Sequence, residues 1–258
     1  MMRTRTFVAL AAFGAIFGAL ASACAHNDAS MVVNGVLAPP TPQNGTCAYT
    51  ADPTQAKISS GTLDVGLLSS YTPELLVANQ MISRQNNTQL QAETSRIIMQ
   101  GAVVHVDDTD NNEINSFTSL ASGFIDPGTS GAPGYGPIAV TIIDPKTAQS
   151  LQGSLPVLGT KRVIARITVF GQTAGGTDLE SNEFEFPVDV CNGCLVTFPE
   201  GSDDPVKQAA NGGVPNCSAV AASGSSTTTV TPCVIGQDQI VDCRLCQGKA
   251  VCDPSKVP

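Results

Sequence analysis

The sequence predicts an all-β fold, an antiparallel β-sandwich that runs into a disulfide-rich, loop-dominated C-terminal segment. Three observations carry this expectation. From about residue 57 to residue 190 the apolar residues recur with a period of two, the spacing of half-buried strands rather than helices. The 258 residues include 24 Gly and 17 Pro, set between the alternating runs where turns belong. Seven of the nine cysteines fall between Cys191 and Cys252, in a stretch with little apolar periodicity.

Taken in chain order, the first element is an address. Arg3 and Arg5 open the chain, a 14-residue apolar run follows from Phe7 to Leu20, and Ala21-Ser22-Ala23-Cys24 closes it. A charged start, a short apolar core and a small-residue cut site make a secretory signal peptide over 1–23. The run is shorter than the roughly 20 residues of a membrane-spanning helix. Leu20-Ala21-Ser22-Ala23-Cys24 resembles the lipobox of bacterial lipoproteins, although its leucine sits one place further from the cysteine than in the commonest form. The resemblance implies cleavage before Cys24, lipidation of its thiol and acylation (palmitate) of the new N-terminus. Ala25 in place of Asp implies delivery to the outer membrane, with the periplasmic or cell-surface face left open. The alternative is an ordinary signal cut after Ala23 or Ala25.

Residues 24–56 are then the lipidated cysteine and a tether, rich in Pro, Asn and small residues between 25 and 46. Within it MVVNGVL, residues 31–37, is expected to form at most a short strand around an Asn34-Gly35 turn. The β-sandwich proper is expected over 57–190. Leu63, Val65 and Leu67 alternate with Asp64 and Gly66. Leu75 to Met81 is a second strand, and Arg96 to Val106 a third with a bulge at Gly101. Phe117 to Phe124 and the alternating Ile138, Val140 and Ile142 follow. Asp144-Pro145 reads as the start of a short helix, Asp capping and Pro in the first turn. Val163, Ala165, Ile167 and Val169 point one way, with Arg162, Arg166 and Thr168 opposite. Phe184, Phe186, Val188 and Val190 form the last strand, and Pro187 places it at an edge or on a bulge. Residues 162–190 resemble the closing hairpin of an immunoglobulin or fibronectin type III-like domain, which implies an immunoglobulin-like sandwich. The buried Trp and paired core cysteines of antibody domains are missing.

Residues 191–258 form the cysteine-rich segment. Setting Cys24 aside leaves Cys47, Cys191, Cys194, Cys217, Cys233, Cys243, Cys246 and Cys252. In an oxidising compartment these eight form four disulfides, whose connectivity the sequence does not choose. Seven of them lie in the C-terminal segment, an odd number, so Cys47 is expected to bond a cysteine there. Closing such a loop contributes on the order of 4–5 kcal/mol by the chain-entropy argument. The two C-x-x-C pairs also admit a zinc reading. The export signal, the even total and the absence of histidine in the segment weigh against it. A redox role for Cys191-Asn192-Gly193-Cys194 lacks the helix start that lowers a thiol pKa.

Charge and chemistry narrow the function. The net charge is −9, and loss of Arg3 and Arg5 with the signal takes it to −11. Nucleic acid is excluded as a partner, since it demands a basic footprint. Electrostatic docking on anionic lipid is excluded for the same reason. Only two histidines are present: His26 beside the anchor and His105 in an apolar strand. Gly128-Thr129-Ser130-Gly131 is not a nucleophile elbow, and no phosphate loop or dinucleotide fingerprint is present. The chain is therefore read as a non-enzyme. The densest polar constellation is Asp107, Asp108, Asp110, Asn112 and Glu113. Its oxygens suit calcium, the one cofactor considered, and Asp108, Asp110 and Asn112 resemble the start of an EF-hand loop. The following glycine is absent, and Ser119 stands where the closing glutamate belongs. A solvated acidic hairpin loop is the alternative.

The lipobox, the β domain ending FPVDVCNGCLVTFP and the later GQDQIVDCRLCQGKAVC together resemble surface lipoproteins of myxobacterial-type bacteria. That group implies no activity. The expectation is a lipid-anchored envelope protein with a non-catalytic binding or structural role. It meets the membrane through its anchor, with an envelope protein or a glycan as partner. The rival readings are an exported redox or metal-binding protein using the C-x-x-C pairs, and a calcium-dependent adhesion module.

Overall fold

The computed structural model describes residues 30–43, 46–83, 93–129, 131–156, 158–198 and 231–252. The expected signal at 1–23, Cys24, His26, Ser130, Cys217 and the low-complexity stretch from Gly212 to Thr229 lie outside them. In chain order the strands are β1 (Met31–Leu37), β2 (Lys57–Ile58), β3 (Gly61–Asp64), β4 (Glu74–Asn79), β5 (Ile97–Asp108), β6 (Glu113–Ile125) and β7 (Gly134–Ala139). Helix α1 (Pro145–Ser154) precedes β8 (Thr160–Thr173), β9 (Asp178–Glu180), β10 (Phe184–Cys191), β11 (Val196–Thr197) and β12 (Val241–Asp242).

The protein is mostly β, as the period of two predicts. One sheet has the order β2-β1-β4-β7, antiparallel throughout. A second has the order β3-β10-β8-β5-β6, with β9 also paired to β8, and β11 and β12 form a separate parallel pair. This second sheet is mixed rather than purely antiparallel, because β3 runs parallel to β10. Both sheets contribute to one apolar core. On β8 the expected inward set, Val163, Ala165, Ile167 and Val169, is fully buried. From β10 come Phe186, Val188 and Val190, and from β4 and β1 come Leu75, Val77, Met31 and Val36. On β5 the inward set steps from Met99 to Ala102 across Gly101. The register shifts there, and Gly101 has φ +155°. A Cβ on Gly101 would stand 2.3 Å from the Ser119 carbonyl oxygen, so the bulge requires glycine.

Three expectations need correction. Part of the expected tether is core: β1 pairs antiparallel with β4, and Met31 and Val36 are fully buried. Asn34-Gly35 makes a bulge rather than a turn, because both halves of MVVNGVL pair with the same strand. Pro187 does not put β10 at an edge, since β10 lies between β8 and β3. The pairing with β3 begins only at Val188, so the missing N–H of Pro187 falls just before that ladder.

Helix α1 starts where the sequence places it. Asp144 Oδ1 accepts from the Thr147 N–H at 3.0 Å and also from the Thr147 hydroxyl. Asn115 Nδ2 donates to Asp144 Oδ1 at 3.2 Å and to Thr147 Oγ1 at 2.9 Å, tying the helix to β6. The apolar alternation at 138–142 outruns β7. Beyond Ala139 the Val140 and Ile142 N–H groups donate to the carbonyls of Pro73 and Tyr71.

The described part of the cysteine-rich segment lies along the otherwise open edge of β3. Asp64 N–H donates to Gly236 O at 2.9 Å, and Asp238 N–H to Thr62 O at 3.0 Å. Thr62 N–H donates to Asp238 Oδ1 at 2.8 Å. The Gln237 side chain pairs with both backbone groups of Thr72, at 3.0 and 3.2 Å. Covering an edge in this way removes a template for unwanted strand pairing. Cys47 and Cys233 lie at disulfide distance, with Cα atoms 5.8 Å apart and a sequence separation of 186. Cys191 pairs with Cys194, and Cys246 with Cys252. Cys243 is also disulfide-bonded. A small second core gathers Leu67, Val241, Cys243, Cys246 and Cys252.

Candidate functional site

The acidic loop joins β5 to β6, and its oxygens are largely engaged. Asp108 Oδ1 accepts from the Asp110 and Asn112 N–H groups, each at 2.9 Å, and the Asn112 amide donates to both Asp108 oxygens. These hydrogen bonds, those from Asn112 foremost, hold the Asp108 carboxyl below its ordinary range. Asp107 stands one residue earlier on the outer face of β5, buried against Arg166 of β8. Asp107 Oδ1 and Arg166 Nε are buried without a hydrogen-bond partner, so the pair meets through its other atoms alone. Glu113 Oε2 lies 2.9 Å from His105 Nδ1. The loop therefore does not turn Asp107, Asp108 and Glu113 toward a common point. Asp108 closes the hairpin, and the other two pair across strands.

Among the described residues, one group of three ligand-type side chains converges: Asp64, Cys191 and Cys194, their ligand atoms within 4.8 Å of one another. Asp64 is fully buried at the end of β3. Its Oδ1 accepts from Gly66 N–H at 3.0 Å and Gly193 N–H at 2.8 Å, and its Oδ2 from Leu195 N–H at 3.1 Å. The carboxylate thus organises the C-x-x-C turn, where Gly193 has φ +94°. Cys191 is buried and Cys194 is exposed. The geometry is that of a capped structural turn with one exposed cysteine. A thiolate released at Cys191 would sit beside the Asp64 carboxylate, and this like-charge contact opposes reduction.

A concavity lies at the opposite end of the sheets. The connections after β4, after β6 and after β8 meet there. Met81 O accepts from Gly128 N–H at 2.9 Å, and Gly175 N–H donates to Thr94 O at 3.2 Å. Arg96 Nε lies 2.6 Å from Asp126 Oδ1. Between these loops is a cavity of about 750 Å³, within the usual size of small-ligand sites. Thr94, Ser95, Thr173 and Thr177 give it hydroxyls, Gln80 an amide, and Met81, Ile82 and Leu179 apolar walls. Ser30, at the entry to β1, completes its rim. No charged side chain lines it among the described residues.

Sequence reasoning missed this cavity and missed Asp64. The cavity draws on loops about fifty residues apart along the chain, each reading as ordinary turn chemistry. Asp64 falls on the polar beat between Leu63 and Val65, so alternation assigns it to solvent. The legible signal was the Asp-x-Gly at 64–66, a side chain poised to accept a backbone N–H two residues on. No protein-family model, curated protein or solved structure matches the chain.

Proposed function

We propose that this chain is a lipid-anchored outer-membrane module that binds an uncharged, hydroxyl-rich ligand, a glycan, in the loop-end cavity and catalyses no reaction. The cavity carries the reading: among the described residues its lining is uncharged and mixes hydroxyl and amide groups with apolar walls, which suits the alternating polar and apolar faces of sugar rings. The signal-like N-terminus and Cys24 support the anchor. An immunoglobulin-like architecture is supported by the strand order. One sheet holds β1, β4 and β7 side by side, and the other holds β10, β8, β5 and β6. This is the succession of the A, B and E strands facing G, F, C and C′. In that frame the three cavity loops occupy the end used by antibody combining sites.

The test is a titration of the folded protein with neutral oligosaccharides from the envelope, read by backbone amide shifts. Saturable shifts at Thr94, Thr173 and Thr177 are expected. They should be lost in Thr94→Trp and Thr177→Trp, which fill the cavity from exposed positions. Shifts elsewhere, or none with any neutral oligosaccharide, would remove the reading.

One observation favours a second reading, exchange of the Cys191–Cys194 disulfide with an exported dithiol. That observation is the exposed residue Cys194 beside its buried partner Cys191. Attack at Cys194 would form a mixed disulfide and release the Cys191 thiolate next to Asp64. The proposed binding module resists that step, and incubation of the native protein with a dithiol should leave Cys194 unmodified. The calcium reading gains no such observation, and the melting temperature should not move at millimolar calcium.

A further inference from the structure

We propose that the loop end of the β domain is seated on the bilayer surface, with Ile82 and Phe124 at headgroup level, which makes its cavity a membrane-proximal site. The inference rests on the lipid-anchor reading of Cys24 and goes beyond it by fixing which end of the domain faces the membrane.

The first argument is reach. Ser30 lines the cavity, and β1 enters the fold at Met31. Only six residue steps separate Cys24 from Ser30, at most about 20 Å of chain at about 3.3–3.6 Å per residue. The connection after β1 does not lengthen this leash, because β1 is locked into the sheet by β4. An anchor in the lipid therefore holds the Ser30 end close to the headgroups. The other end is held away. β8 runs the length of the domain from Thr160, which pairs with Cys191, to Thr173 at the cavity. Its 14 residues span about 45 Å at about 3.3 Å each.

The second argument is surface chemistry. Ile82, on the cavity rim, is 74% exposed. Phe124, one residue before the end of β6, is 61% exposed and is the one aromatic among the exposed large hydrophobic residues described. Its cross-strand neighbour Ile98 is also exposed. Aromatic side chains favour the headgroup level, where one face is apolar and the edge is wet. The ionic groups beside them neutralise each other: Arg96 pairs with Asp126 and lies over the Phe124 ring, 5.2 Å from its centroid. Around Phe124 the contact is thus apolar and locally neutral, suited to a zwitterionic surface. A chain of net charge −11 gains nothing from anionic lipid.

The chain contains no Trp, so single reporters read position directly. Ile82→Trp, Phe124→Trp and, at the far end in the Cys246–Cys252 loop, Lys249→Trp would be made in the full chain. Each would be extracted from its membrane and reconstituted into phosphatidylcholine vesicles with brominated acyl chains. Intact mass on the same samples reports the acyl chains on Cys24. The expected result is a lipidated Cys24, with roughly half of the emission quenched at positions 82 and 124, as for side chains about 5–10 Å into the interface, and none at 249. A lipidated protein with reporters 82 and 124 unquenched overturns the seat and leaves the anchor standing. Equal quenching at all three positions also overturns it. A Cys24 without acyl chains overturns the anchor and the seat together.

Discussion

Asp64 is the residue on which the lower end of the domain turns. Three backbone N–H groups, Gly66 from its own turn and Gly193 and Leu195 from the distant C-x-x-C turn, converge on its buried carboxylate. Truncation leaves those donors unpaired, and each such loss costs about 1–3 kcal/mol. Asp64→Ala should therefore lower the unfolding free energy by about 4 kcal/mol in urea titration. A loss below about 1 kcal/mol would show that the turn holds itself. Asp238 makes a different prediction. Burial pushes its carboxyl above the ordinary value of 3.8, outweighing hydrogen bonds from Thr62, Tyr71 and Gln237. A raised folded pKa means stability that is full below 3.8 and is lost as pH rises through the raised value. The wild type should thus lose stability relative to Asp238→Asn as pH rises from about 4 toward neutrality, since the amide does not titrate. Denaturation midpoints of the two proteins across pH 3.5–7 check this. Parallel pH profiles would contradict it.

At the scale of elements, α1 and the β5 bulge follow from a few side chains. Asp144 caps α1 through Thr147. Burial raises its carboxyl, but the hydrogen bonds from Thr147 and Asn115 prevail and hold it below its ordinary value. Its contribution is therefore present above 3.8 and lost as pH falls through the lowered value. Asp144→Ala should cost about 1–2 kcal/mol at neutral pH and much less in strong acid, as measured by thermal unfolding. This cap was legible because capping chemistry is local, and so were the inward faces of β8 and β10, because alternation is local. The bulge at Gly101 was legible for the same reason. β1 was misread because its bulge at Asn34-Gly35 copies the sequence of a tight turn, and only β4, forty residues on, decides between them. The parallel β3–β10 pairing and the cavity were not legible at all. Both depend on which segments meet, and no local pattern records that.

At the scale of the whole molecule, the cysteine framework joins the first connection to the last described segment. The Cys47–Cys233 link spans 186 residues, a closure that contributes about 5 kcal/mol by the chain-entropy argument. Hydrogen bonds from residues 236–238 then lay that segment along β3. The double variant Cys47→Ser/Cys233→Ser should keep its β-sheet signal but expose the segment after residue 230 to protease. Equal protease resistance would show that the hydrogen bonds alone hold it. The proposed anchor and the disulfide staple are both covalent, and a single mass reads them together. The measurement is the intact mass of the protein extracted from its native membrane without reductant. The account predicts a chain beginning at Cys24, carrying acyl chains, with its eight other cysteines all oxidised. A chain without acyl groups, or one with free thiols or bound metal, would contradict it.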